Sequence, residues 1–97
     1  MNYYERIQKS IDYIESRLEE NIAIEKAAQA AFMSCSNYYR MFFALTGYNV
    51  KEYIRQRRIS SAVKDIKEMD SSILDIALKY GFESNEAFTR AFKRVTG

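Results

Sequence analysis

Arg40 and Arg90 place guanidinium groups at the same point of two related stretches, SCSNYYRMFFALTG (residues 34–47) and SNEAFTRAFKRVTG (residues 84–97). Each arginine lies two residues before an aromatic, Phe42 or Phe92, that belongs to an apolar stripe, so each points away from that stripe. Outward cations repeated in this way suit an anionic partner, although a solvated helix face has the same pattern. Other chemistry is poorly served. Histidine is absent, which removes the commonest general base and the commonest metal ligand together. Cys35 is the single cysteine, with no second thiol or imidazole to activate or use it, and no glycine-rich phosphate loop occurs. The chain reads as a binding protein and not an enzyme, with no cofactor and no metal.

The elements that hold these groups follow from periodicity. At an offset of 50, Phe32, Ser34, Arg40, Phe42, Thr46 and Gly47 match Phe82, Ser84, Arg90, Phe92, Thr96 and Gly97. Tyr38, Met41, Phe42 and Leu45 recur at helical spacing, as do Phe88, Ala91, Phe92 and Val95, so each copy is an amphipathic helix of about three turns. A shorter helix precedes each, marked by Ile24, Ala27, Ala28 and Ala31 in one and by Ile73, Ile76, Ala77 and Tyr80 in the other. These pair at an offset of 49, so the second turn holds one extra residue, next to Gly81, where a positive φ costs nothing. Ala27, Ala28 and Ala77 are small where a crossing helix presses. Ser34 and Ser84 suit N-caps, Ser72 and Asp75 have capping-box spacing, and Gly47 suits a C-terminal cap. The aromatics Tyr38, Phe42, Phe88 and Phe92 are expected in the core and not in a base-stacking row.

Two further helices frame the repeats. One runs from about Tyr3 to Glu20 with Ile7, Ile11, Ile14 and Leu18 on one stripe. The other runs from about Val50 to Glu68 with Tyr53, Ile54, Ile59, Ala62, Val63 and Ile66 inward, and a connector of about 17 residues at 1.5 Å each spans roughly 25 Å. The expected fold is all-α: two helix-turn-helix units joined by a long connector helix, about six to seven helices in total. Residues 1–49 form the first unit, 50–68 the connector and 69–97 the second. Absence of proline, with glycine only at 47, 81 and 97, agrees with helices throughout.

With 97 residues and 47% hydrophobic content, the chain can bury one modest core. No apolar run reaches the roughly 20 residues that cross a bilayer, and no leader pattern opens the chain, which points to a cytoplasmic protein without a membrane partner. Residues 1–35 hold four Lys/Arg against six Asp/Glu, whereas residues 36–97 hold eleven against seven. The basic excess lies with the repeats. A short helix crossed over a second through a tight turn is the geometry that drives the second helix, amino end first, into the major groove of DNA. Two copies can read two groove segments, which recur about every 34 Å along one side of a duplex.

The segments YIRQRRISSA (residues 53–62), SILDIALKYGFES (residues 72–84) and above all FTRAFKRVTG (residues 88–97) resemble the DNA-binding domain of AraC/XylS-type transcriptional regulators, over nearly the whole chain. The resemblance implies sequence-specific binding of double-stranded DNA. It places base or backbone contacts at Ser36, Asn37, Tyr39 and Arg40 in the first unit and at Asn85, Glu86, Thr89 and Arg90 in the second. Arginine can donate two hydrogen bonds to guanine, asparagine can pair with adenine, and glutamate can accept from cytosine N4. Lys51, Lys93 and Arg94 are read as phosphate contacts, which position without specifying. Phe43 and Ala44 stand where Lys93 and Arg94 stand in the second unit, so phosphate attachment is expected mainly there. The family usually continues past this glycine with a proline-containing segment and a short final helix, so the resemblance implies either a fragment of a longer regulator or a chain whose last helix has been cut away. Effector sensing in the family usually lies in a separate domain, so a longer regulator would carry an effector or dimerisation domain elsewhere.

Arg58 is expected to make an internal ion pair, whereas Arg55 and Arg57 suit a phosphate or a solvated face equally. Asp65, Glu68, Glu19 and Glu20 read as solvated. The rival reading is a helical protein–protein interaction module, in which the face around Tyr39, Phe43 and Tyr48 docks a partner such as RNA polymerase or a second subunit.

Overall fold

The computed structural model describes all 97 residues and consists of six helices with no strand. These are α1 (Tyr3–Glu15), α2 (Ile24–Ala30), α3 (Cys35–Thr46), α4 (Val50–Glu68), α5 (Ile73–Lys79) and α6 (Asn85–Thr96). The chain packs as two compact units, Met1–Ile54 and Arg55–Gly97, and the boundary falls inside the continuous helix α4. No helix is long and apolar enough to cross a membrane.

In the first unit α1 packs against both α2 and α3. Ile7, Ile14 and Leu18 from the α1 stripe meet Ala27, Ala28 and Ala31, and Tyr38 and Phe42 complete a core from which water is excluded. Alanine at the α2 positions lets the helices approach closely, as the small residues there predict. Tyr38 and Phe42 meet edge to face at 5.8 Å, and Phe42 meets Tyr53 of α4 in the same way at 5.4 Å. The Tyr53 hydroxyl donates to Glu15 Oε2 at 3.2 Å, tying the start of α4 to the end of α1.

A buried hydroxyl chain runs through this core. Tyr38 donates from its hydroxyl to Ser10 Oγ at 2.9 Å, and Ser10 Oγ donates to the Ile7 carbonyl at 2.7 Å. Both side chains are inaccessible to water. The matching place in the second unit is Phe88, which needs no such partner. Ser10→Ala should therefore cost about 1–3 kcal/mol, because it strands a buried hydroxyl. Adding Tyr38→Phe should recover much of that loss in a urea unfolding titration. A double variant no more stable than Ser10→Ala alone would contradict this account.

The first helix is shorter than the apolar stripe predicts. It stops at Glu15 because Ser16 turns its hydroxyl onto the Tyr13 carbonyl at 2.8 Å, and the chain continues through tighter turns, Arg17 N–H to Ile14 and Glu20 N–H to Arg17. Leu18 still reaches the core from this turn.

In the second unit Ile59 and Ala62 of α4 share a core with Ile76, Ala77, Tyr80 and Phe88. Phe82 and Phe88 meet edge to face at 5.4 Å. Ile73, expected on the inward stripe, is exposed because it opens α5 ahead of the crossing point, and Phe92 is only half-buried where Phe42 is fully buried. Asp65 is not a solvated carboxylate. It accepts from Lys79 Nζ and from the Tyr80 hydroxyl, each at 2.8 Å, fastening α5 to α4. The Lys79 and Tyr80 hydrogen bonds hold its carboxyl below the ordinary aspartate range, against the opposing effect of burial. A depressed folded value stabilises above the unfolded pKa of about 3.9 and is lost as pH falls through the folded one. Acid melting should thus weaken the second unit below about pH 4, and Asp65→Asn should flatten that pH dependence; an unchanged profile would remove Asp65 from the balance.

Helices α2 and α5 end in one motif. Met33 N–H bonds the Ala28 carbonyl and Phe32 N–H bonds Gln29, just as Phe82 N–H bonds Ala77 and Gly81 N–H bonds Leu78. These are the paired bonds of a Schellman turn, whose central residue is left-handed. Phe32 (φ 59) therefore corresponds to Gly81 (φ 87), and Met33 to Phe82. The pairing of Phe32 with Phe82 that letter matching predicts is wrong by one residue, and the extra residue of the second turn is Glu83. Glycine takes this conformation freely, whereas a Cβ makes it cost about 1–2 kcal/mol.

Candidate nucleic-acid interface

Helices α3 and α6 are built alike from cap to cap. Ser34 Oγ accepts from the Asn37 N–H at 3.3 Å, and Ser84 Oγ accepts from the Ala87 N–H at 3.0 Å. Thr46 and Thr96 turn their hydroxyls back onto the Phe42 and Phe92 carbonyls. Gly47 and Gly97 both have positive φ and donate to Phe43 and Lys93 at 2.8 and 2.9 Å. Each cap satisfies one first-turn N–H and leaves others free to meet an anion.

With one stripe fixed in the core, the opposite stripe is determined. On α6, Glu86, Thr89, Arg90 and Lys93 lie at i, i+3, i+4 and i+7 and all are exposed, with Asn85 and Arg94 exposed beside them. Four of the six predicted α6 residues thus share one face, and Asn85 and Arg94, nine residues apart, lie on its two opposite flanks. It is a row of hydrogen-bonding and cationic groups facing solvent, with the carboxylate at the amino end and the cations toward the carboxyl end, where the helix dipole favours them.

On α3 the matching row is Ser36, Tyr39, Arg40 and Phe43. Ser36 and Arg40 are exposed, Asn37 is half-buried at the first turn, and Tyr39, expected to be exposed, is half-buried as well. Phe43 is 60% exposed, so this row ends in an aromatic ring where α6 ends in an ammonium group. Lys51 is exposed on the first turn of α4, beyond the Gly47 turn and off α3 itself, where the Asn49 side chain accepts from its N–H at 2.9 Å. Cys35 is the first residue of α3 and half-buried. No group of three or more His, Cys, Asp or Glu side chains converges to hold a metal.

Arg58, expected to make an internal ion pair, is half-buried in α4, and burial pulls its guanidinium below its ordinary value. One contributor that periodicity misses is Arg6. Its Nε donates to the Ala31 carbonyl at 2.9 Å and its Nη2 to the Phe32 carbonyl, from a helix 25 residues earlier in the chain.

The helix-turn-helix domain family matches residues 27–97 of the chain. The uncharacterized HTH-type transcriptional regulator YbfP of Bacillus subtilis is 44% identical over 94 residues, 96% of this chain and 32% of that protein. The multiple antibiotic resistance protein MarA of Escherichia coli is 37% identical over 87 residues, 90% of this chain and 68% of MarA. The chain thus spans about a third of the first relative's length and two thirds of the second's. The DNA-binding domain of AdpA, solved in complex with a target DNA, superposes with a TM-score of 0.82 at 27% identity, covering 95% of this chain and 83% of that one.

Proposed function

Because the chain belongs to the AraC/XylS family of helix-turn-helix transcriptional regulators, we propose that it binds double-stranded DNA sequence-specifically, with α3 and α6 as the two recognition helices and the segment 50–68 as their connector. The observation that carries this reading is the wholly exposed row Glu86–Thr89–Arg90–Lys93, set opposite a packed stripe on a capped helix and repeated in outline on α3. An α-helix fills the major groove, whose base edges offer acceptors to arginine and donors to glutamate. Arg40 and Arg90 read guanine, Asn37 and Asn85 suit adenine, and Glu86 suits cytosine. Ser36, Tyr39 and Thr89 contact either a base edge or the backbone, while Lys51, Lys93 and Arg94 hold phosphates. The chain spans about a third of YbfP, and in this reading it is part of a longer regulator whose remainder carries effector sensing or dimerisation and which acts in the cytoplasm.

Selection of duplexes from a random pool tests this directly. Two short preferred segments about one helical turn apart are expected; a pool that emerges unenriched, or with affinity insensitive to salt, would defeat the proposal.

A second reading rests on Phe43 and Tyr48, both exposed at the carboxyl end of α3. They suit a protein contact, RNA polymerase among the partners, made beside the DNA and not instead of it. Salt-insensitive association in the absence of DNA would favour it.

A further inference from the structure

We propose that Arg6 is a positioning residue for the recognition helix α3, which it holds in place through the turn that precedes it. This rests on the reading of α3 as a DNA-contacting helix. The two Schellman turns are closed by the same backbone bonds but with different residues at the left-handed position, Gly81 in one and Phe32 in the other. Gly81 needs no help. Phe32 is strained by its Cβ, and its ring is 62% exposed, so packing of that side chain does little to hold the conformation.

What holds it is the guanidinium from α1. Arg6 donates to the carbonyls of Ala31, which ends α2, and of Phe32 itself. The Ala31 carbonyl is among the groups a helix end leaves without internal partners, the Phe32 carbonyl follows it in the turn, and a positive charge beside them is favoured by the negative end of the dipole. Arg6 also lies over the Tyr3 ring, 5.2 Å from its centroid. Two residues after Phe32 comes Ser34, the cap of α3, and then the row Ser36, Asn37, Tyr39 and Arg40. A displaced Phe32 carbonyl therefore moves the amino end of the helix that enters the groove.

The test uses the selected duplex and a second duplex in which only the segment read by α3 is scrambled. Arg6→Met, which keeps the stem and loses the donors, should weaken binding to the intact duplex about tenfold. It should leave binding to the scrambled duplex unchanged. Arg6→Lys should fall between, and Phe32→Gly in the Arg6→Met background should restore most of the loss. The salt dependence should keep its slope, since no phosphate contact is removed. Amide exchange at Met33 and Asn37 should quicken in Arg6→Met. Equal losses on both duplexes, a slope reduced by about one, no rescue by Phe32→Gly, or unaltered exchange would each overturn the proposal. If wild-type protein selects no duplex, the DNA reading itself has failed, and the exchange measurement still decides whether Arg6 holds the turn.

Discussion

Arg90→Ala should lower affinity for the selected duplex by about 5- to 150-fold, the equivalent of 1–3 kcal/mol, and relax preference at one base pair. The side chain is exposed at the second turn of α6 and flanked on its own stripe by Glu86 and Lys93, so its removal disturbs no packing. Lys93→Ala should behave differently. A phosphate contact carries no sequence information, so its loss weakens all duplexes alike and reduces the slope of log affinity against log salt by about one. The comparison is made by titrating both variants against the preferred and a scrambled duplex at several salt concentrations. If both substitutions leave specific binding intact, α6 is not the reading helix. The corresponding pair on α3 is unequal, because Phe43 replaces the lysine: Arg40→Ala should relax specificity, whereas Phe43→Ala should leave the salt slope untouched.

Phe42→Ala should destabilise the first unit by about 3–5 kcal/mol, the range for emptying a fully buried aromatic site. Phe42 is inaccessible to water and loses two edge-to-face contacts, with Tyr38 and with Tyr53, besides its buried area. Domains are stable by only about 5–15 kcal/mol, so most of the margin would go. Phe92→Ala, at the matching place in the repeat, should cost less, about 1–2 kcal/mol, because the ring is half-buried and makes one looser ring contact at 6.3 Å. Denaturant unfolding followed by circular dichroism measures both. Equal costs would mean that exposure in the folded chain does not govern the difference.

The helices were legible because their apolar residues recur every three to four positions, and burial of Ile7, Ile14, Tyr38 and Phe42 follows that pattern. The bounds of α4 at Val50 and Glu68, and caps at Ser34, Ser72, Ser84 and Gly47, were readable from local sequence alone. The exposed row on α6 is the complement of its buried stripe, so Glu86, Thr89, Arg90 and Lys93 could be read as outward in advance. What sequence could not supply is decided by bonds between distant residues. Nothing local marks Arg6 as the partner of a turn 25 residues on, or Asp65 as the acceptor for Lys79 and Tyr80. Phe32 misleads in a different way. Its letter matches Phe82, but the i to i−5 hydrogen bonds assign its backbone role to Gly81. Tyr39 was expected to be exposed on periodicity, which fixes direction around one helix and says nothing of what leans over it.

The buried Tyr38 hydroxyl also makes the first unit optically self-reporting. The chain has no tryptophan, so near-ultraviolet absorbance comes from eight tyrosines with only a weak contribution from six phenylalanines, and tyrosinate alone grows in with alkali. Exclusion from solvent raises the ionisation of Tyr38 above its ordinary value near 10, and the Ser10 contact only partly offsets this. Below that range the ring is neutral folded or unfolded and contributes no pH dependence; above it, ionisation favours the opened chain. A late rise of tyrosinate absorbance in strong alkali, missing from Tyr38→Phe, would therefore time the opening of this one core without any attached dye.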